Sequence, residues 1–202
     1  MDMKKIMHDT LILFVICIIS GLLLGIAYEI TWPITAARKA EEKAQTYREI
    51  FVDGADFKDG EVAEHLENQA QIIADAGLAN GAVTDCMTVY DASGALVGYA
   101  ISATANGKEG TMTTAVCYGV DGVVRGIKVL DHKETAGLGD KCENPEFTDM
   151  FKDKAVDSFS VVKGGTGADG EIECLAGATL TSNGVVNAVN AAIAFAQYCM
   201  SN

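Results

Sequence analysis

The chain predicts an α+β fold: an antiparallel sheet with flanking helices, preceded by a single N-terminal transmembrane helix. Three observations carry this expectation. An uncharged apolar run fills Thr10–Tyr28, four short period-two segments joined by tight turns lie between Asp85 and Leu130, and a helical pattern closes the chain beyond Thr181. Together they divide the 202 residues into a tail at 1–9, an anchor at 10–30, a helical linker region at 31–83 and a folded domain at 84–202.

The anchor follows from length. At ~1.5 Å of rise per residue, the Thr10–Tyr28 run matches a hydrocarbon core of about 30 Å. Tyr28 and Trp32 stand where interfacial aromatics sit, and Glu29 and Pro33 close the segment. A cleaved signal peptide fits less well, because the run is long for its apolar region and Ala36-Ala37 is a poor cleavage site. Basic residues flank both ends: Lys4 and Lys5 before, Arg38, Lys39, Lys43 and Arg48 after. The pair abutting the membrane tips the balance slightly towards an N-terminus inside.

Thr35–Phe51 is rich in alanine and charge and predicts a helix. Glu61–Ala79 carries Val62, Leu66, Ala70, Ile73 and Ala74 at helical spacing, with Gly77 and Gly81 near its end. His65 lies in the charged face of that segment and reads as a solvated side chain. From Thr84 the period changes. Asp85–Tyr90, Ala95–Ala103, Thr111–Tyr118 and Val123–Leu130 predict strands, separated by turn residues at Asp91–Gly94 and Gly119–Gly122. Such short connections predict an antiparallel meander. The loop Asn106–Gly110 reads equally as a plain hairpin end or as an edge facing a ligand.

Asn144–Lys154 predicts a helix starting near Pro145, Phe159–Lys163 a strand, and Gly164–Gly170 a flexible loop held only when a ligand is bound. The last segment, Glu173–Asn190, joins a small-residue loop to a helix whose N-cap candidates are Thr181 and Ser182. Val185, Val189, Ala192, Ile193 and Ala196 then form one buried stripe. A glycine-alanine loop entering a helix is either an ordinary capped helix or an anion site, since the first turn offers free N–H donors and partial positive charge.

A net charge of −13 argues against a nucleic-acid partner, which calls for a basic face. Of the six cysteines, Cys17 falls in the anchor and the others are widely spaced without a C-x-x-C, so no metal or iron–sulfur site is expected. His8, His65 and His132 form no recognisable nucleophile–base arrangement, and no catalytic residue is assigned.

Two stretches carry a family resemblance. L-A-G-A-T-L-T-S at Leu175–Ser182 resembles the flavinylation motif D-x-x-[S/T]-G-A-T of the FMN-binding domain family, with Glu173 in place of Asp and Ala176 in place of Ser or Thr. H-K-E-T-A-G-L-G at His132–Gly139 resembles the family's second signature, H-x-E-T-P-G-L-G, with Ala136 in place of Pro. The strands leading into it also resemble the family's sheet. In that family a flavin transferase esterifies FMN through its phosphate to the last threonine of the motif. The resemblance therefore implies covalent FMN on Thr179, with Gly177, Ala178, Leu180, Thr181 and Ser182 around the linkage. It further implies that Glu134, Thr135, Gly137, Leu138 and Gly139 line the ring or its tail, with Met112 and Leu180 as apolar ring contacts.

Length narrows the resemblance to the G subunits of Rnf-type ion-translocating ferredoxin:NAD⁺ oxidoreductases, with C subunits of sodium-translocating NADH:quinone reductases as the neighbouring alternative. What it implies is an electron-transfer subunit that does not turn over alone. Its partners are the other membrane subunits and, during maturation, the flavin transferase; its place is the cell membrane, N-terminus cytoplasmic and flavin domain on the outer face. Two other classes fit the same chain: an outward-facing flavinylated reductase for a small acceptor, and a flavin-free assembly module.

Overall fold

A computed structural model describes residues 11–22, 25, 28, 41 and 44–202. The chain divides into two compact units, Met1–Gln45 and Thr46–Asn202. In the first unit, residues 11–22 are helical and their large apolar side chains are exposed, Leu13 at 63% and Phe14 at 61%. The expected anchor lies partly outside the described residues. Among those described, no helix is long and apolar enough to cross a membrane. The helix expected over Thr35–Phe51 also lies partly outside them; residues 44–50 of it are helical.

The second unit is built on a five-stranded antiparallel meander in chain order. Its strands are β1 (Asp56–Asp59), β2 (Ala82–Tyr90), β3 (Leu96–Asn106), β4 (Thr111–Gly119) and β5 (Val124–Asp131). β2 to β5 fall on the segments the alternating pattern predicts, and the β2–β3 and β4–β5 turns are made where Gly94 and Gly122 supply positive φ. Strand β1 is a departure from the expected linker: its partner is the edge of β2, from Asp56↔Tyr90 to Asp59↔Met87. Its sequence, DFKD, is short and charged, as edge strands often are, and so carries little apolar alternation to read.

Side chains alternate between two cores. Tyr99, Ile101, Ala103 and Ala105 of β3, with Met112, Val116 and Tyr118 of β4, face a long C-terminal helix, Thr179–Ser201. Ala100, Ala115 and Cys117 point the other way and are covered by Tyr47 and Phe51 from the segment before β1. Extra residues at Thr84 and Val97 break the pairing register and reset which face each strand end presents.

The expected stripe of Val185, Val189, Ala192, Ile193 and Ala196 is buried, and burial of the C-terminal helix extends beyond it. Val185, Val186, Ala188, Ala191, Ala192 and Phe195 are all buried, because sheet, a neighbouring helix and the connecting segment enclose it. The neighbouring helix, Gln69–Asp75, belongs to a region expected as one long surface helix; Asn68, with ψ of 6°, divides it from a shorter one at Ala63–Glu67. The helix expected at Asn144–Lys154 likewise shortens to Pro145–Thr148 followed by a 3-10 turn at Asp149–Phe151. Phe147, Phe151 and Phe159 pack edge to face there, with centroids 5.7 and 4.9 Å apart. Two further short strands, β6 (Ser160–Val162) and β7 (Glu171–Glu173), pair in parallel beside the helix.

Candidate functional site

The long helix starts at Thr179, earlier than its expected cap. Ala178 occupies the N-cap position without a side-chain hydrogen bond. Thr181 and Ser182 instead lie inside the first turn, fully buried. The Ser182 hydroxyl donates to Ala178 O (3.1 Å) and accepts from Leu175 N (3.0 Å), fixing the preceding loop to the helix. Gly177 makes the bend with φ of +77°. Thr179 is half-buried, and its Oγ1 receives the Cys174 thiol at 3.3 Å. Among the described residues, the amides of Thr179, Leu180 and Thr181 find no acceptor in the preceding loop, while Ser182 N begins the helical ladder at Ala178 O.

The second signature runs directly against this turn. After β5, Thr135 O accepts from Leu138 N (3.2 Å) and Gly139 N (3.0 Å), closing a tight loop in which Gly137 has φ of +78°. A Cβ on Gly177 would stand 3.3 Å from Leu138 Cδ2, and one on Gly139 would stand 2.9 Å from Thr181 Oγ1. The two stretches singled out in the sequence are therefore one site. Leu138 and Leu180 are exposed, 43% and 59%, although both are apolar; Leu180 follows Thr179 in the chain, and Leu138 lies against Gly177 two residues before it.

Glu134 is buried beneath that surface. Its Oε1 accepts from Lys108 N (2.9 Å) and Glu109 N (3.0 Å), and its Oε2 accepts from Thr181 Oγ1 (2.5 Å). Burial pushes its carboxyl up, but the Thr181 hydroxyl and the two amides outweigh this and hold it below its ordinary value. Its own N–H donates to His132 Nδ1 (3.1 Å), leaving His132 Nε2 to meet Glu143 at 2.9 Å. Glu134 is thus 9% exposed, with both carboxylate oxygens bonded to protein. Met112, expected as a ring contact, has no exposed surface and belongs to the core between β4 and the long helix.

Two cavities adjoin the loop before Thr179. One of about 240 Å³ is lined by Lys141, Asn144, Phe147, Cys174 and Leu175 among others, and one of about 340 Å³ by Lys154, Val162, Gly165 and Glu171; they share Met150 and Glu173. The loop Gly164–Gly170 is tied to β7 by two carboxylates. Glu173 accepts from Gly164 N and Gly165 N, both at 3.0 Å, and Glu171 accepts from Thr166 N at 2.7 Å. Sequence reasoning missed Lys108, Glu109 and Cys174: the first two act through main-chain amides, which no side-chain pattern reports, and Cys174 occupies a variable position of the motif.

Residues 107–194 match the model of the FMN-binding domain family, spanning both signatures. The G subunit of an ion-translocating oxidoreductase complex from Methanosarcina acetivorans is 30% identical over 193 residues, 95% of either chain. The G subunit of a proton-translocating ferredoxin:NAD⁺ oxidoreductase complex from Clostridium ljungdahlii is 27% identical, covering 95% of this chain and 92% of its own. The C subunit of a sodium-translocating NADH-quinone reductase from Yersinia pestis is 41% identical over 88 residues, 39% of this chain and 33% of its own. The chain belongs to the G-subunit family of ion-translocating oxidoreductase complexes.

Proposed function

We propose that this chain is the membrane-anchored electron-transfer subunit of an Rnf-type ferredoxin:NAD⁺ oxidoreductase complex, carrying FMN esterified through its phosphate to Thr179. The observation that supports this best is the placement of Thr179: a half-buried residue on the first turn of a long helix, followed by exposed Leu180 and preceded by a loop against which exposed Leu138 lies at Gly177. The donor set fits the group. Free amides of Thr179, Leu180 and Thr181 suit a phosphodiester, and the helix terminus adds ~0.3–1 kcal/mol for its negative charge. Leu138 and Leu180 offer apolar surface for a flat ring, and the adjoining cavity supplies depth.

Bound FMN supplies reversible one- and two-electron chemistry, while the protein holds and orients it. On this reading Thr179 provides the bond, the first-turn amides bind the phosphate, and Leu138 and Leu180 shield one side of the ring from water. Family membership supports the remaining subunits as partners, and a flavin transferase as the maturing enzyme. The uncharged Thr10–Tyr28 run and the exposed apolar side chains of helical residues 11–22 support a single anchor, and Lys4 and Lys5 beside it, with the family resemblance, support an N-terminus in the cytoplasm and a flavin domain outside.

Co-expression with a flavin transferase is expected to add the mass of FMN less one water to the peptide bearing Thr179, and Thr179→Ala to abolish it. Attachment at Thr181 or Ser182, or none at all, would overturn the assignment. Those two hydroxyls are fully buried, which supports a single acceptor. A cysteine at Ser201, in a chain otherwise free of thiols, is expected to react with an impermeant reagent outside intact cells; labelling only after lysis would reverse the topology.

A further inference from the structure

We infer that Glu134 is the positioning residue of the acceptor turn: a buried carboxylate, untouched by flavin, that sets where Thr179 stands. The inference rests on Thr179 being the acceptor and goes on to say what holds it in place. Both carboxylate oxygens are already committed. Oε1 is held by the Lys108 and Glu109 amides and Oε2 by the Thr181 hydroxyl, and Glu134 is only 9% exposed.

The walls around it are backbone. A Cβ on Gly107 would lie 2.5 Å from Glu134 Oε1, one on Gly139 2.8 Å from Oε2, and one on Gly184 3.0 Å from Gly107 Cα. None of these three glycines has positive φ, so close approach alone explains them. Three chain segments are packed to contact around one carboxylate, leaving no room there for a ribityl chain or a ring. Thr181 belongs to the same helical turn as Thr179. Its hydroxyl is fixed by Glu134, and Glu134 is fixed by the β3–β4 loop, so the acceptor turn is referenced to the sheet through one side chain. Gly177 against Leu138 makes a second contact, to the loop that precedes Thr179. A bond along this path keeps the acceptor hydroxyl in a fixed place when a flavin dinucleotide is presented to it. In that transfer the Thr179 Oγ1–phosphorus bond forms, the pyrophosphate bond of the donor breaks, AMP leaves, and the threonine proton is released.

A group that only orients the acceptor changes the transfer rate once the partner is bound, and leaves docking of the exposed motif alone. The test measures covalent flavin transfer to full-length protein by a flavin transferase with FAD, at varied acceptor concentration, with thermal melting of each variant. Glu134→Gln and Thr181→Val are each expected to lower kcat about tenfold or more with KM unchanged. The double variant is expected to be no slower than the slower single, because both disturb the same Glu134–Thr181 contact. Thr181→Ser keeps the hydroxyl and is expected to restore wild-type kcat. Where Glu134→Gln fails to fold, the Val and Ser replacements at Thr181 decide alone. Wild-type kcat in Thr181→Val, a loss confined to KM, or independent losses multiplying in the double variant would each overturn the inference. Wild-type protein that takes up no covalent flavin would instead overturn the Thr179 assignment, and the positioning role with it.

Discussion

Asn190 holds the backbone of Phe159 by both of its polar groups: Nδ2 donates to Phe159 O at 2.9 Å, and Oδ1 accepts from Phe159 N at 2.8 Å. An amide side chain therefore does for the segment before β6 what a neighbouring strand would otherwise do. Asn190 is buried on a helix whose other buried residues near its middle are apolar, and the pair docks the Phe147–Phe151–Phe159 cluster onto that helix.

Removing such a pair leaves two backbone groups unsatisfied in the core, at ~1–3 kcal/mol for each orphaned group. Asn190→Leu is expected to destabilise the protein by about 2–4 kcal/mol despite its greater hydrophobicity. Asn190→Asp retains the acceptor but turns a second oxygen towards Phe159 O, and is expected to be destabilising as well. Denaturant melts of both variants check this; an unchanged midpoint in Asn190→Leu would show that the pair contributes nothing.

Gly137 and Gly139 serve the same loop for different reasons, and alanine separates them. At Gly139 a Cβ would stand 2.7 Å from Glu134 Cβ and 2.8 Å from its Oε2, so overpacking of about 1–3 kcal/mol is expected. At Gly137 there is open space but a φ of +78°, so the strain of about 1 kcal/mol is local and Asn should relieve part of it. The expected order of stability is wild type, Gly137→Asn, Gly137→Ala, Gly139→Ala. Equal midpoints for the two alanine variants would show that the Glu134 cluster yields easily.

The sheet was legible because β2 to β5 are short apolar-rich segments whose turns carry glycine or aspartate at the required places. β1 was not, since DFKD takes its register from the edge of β2 and not from its own pattern. The Leu175–Ser182 stretch and the second signature were both visible as stretches, but their mutual contact was not: Gly139 against Thr181 is a tertiary fact with no local correlate. The same limit explains the misplaced cap. Thr181 and Ser182 have the hydroxyls of cap residues, and tertiary partners, Glu134 and Leu175, claim those hydroxyls instead. Met112 read as a ring contact because an apolar residue at a strand start gives no sign of which face it joins.

Acid is expected to release the Gly164–Ala168 loop before it unfolds the domain. Thr166 hydroxyl and amide bonds hold Glu171 below its ordinary carboxyl range, and the Gly164 and Gly165 amides do the same for Glu173. A depressed folded pKa means that the holding contribution is present above the unfolded value and is lost as pH falls through the folded one. The loop should thus be closed at neutral pH and open below the ordinary carboxylate range. Amide resonances of Gly164, Gly165, Thr166 and Ala168 are expected to titrate with the two carboxylates. Glu173→Gln should leave the Gly164 and Gly165 resonances in an open position at neutral pH. Resonances that move only with global unfolding would refute the local hinge.

Cys174 reports on the acceptor from closer range than the other thiols of the folded unit. Its Sγ lies 3.3 Å from Thr179 Oγ1, it is partly exposed, and it lines the adjoining cavity. Its neighbours in the fold are poor nucleophiles. Burial raises the Cys86 and Cys117 thiols well above their ordinary value, Cys142 to about 12 and Cys199 to about 11. In protein made without a flavin transferase, Cys174 is therefore expected to be alkylated faster than any of these four. A phosphodiester on Thr179 Oγ1 places new atoms within van der Waals reach of that sulfur and takes the hydroxyl oxygen it now contacts. Alkylation of Cys174 is expected to slow severalfold in flavinylated protein, while Thr179→Ala, made under the same conditions, keeps the fast rate. Peptide mapping after a timed iodoacetamide pulse measures both, with Cys142 and Cys199 as internal references. Equal rates at Cys174 with and without covalent flavin would mean that the ester leaves the threonine side chain pointing away from the cavity, and the arrangement of linkage and cavity proposed here would have to be redrawn.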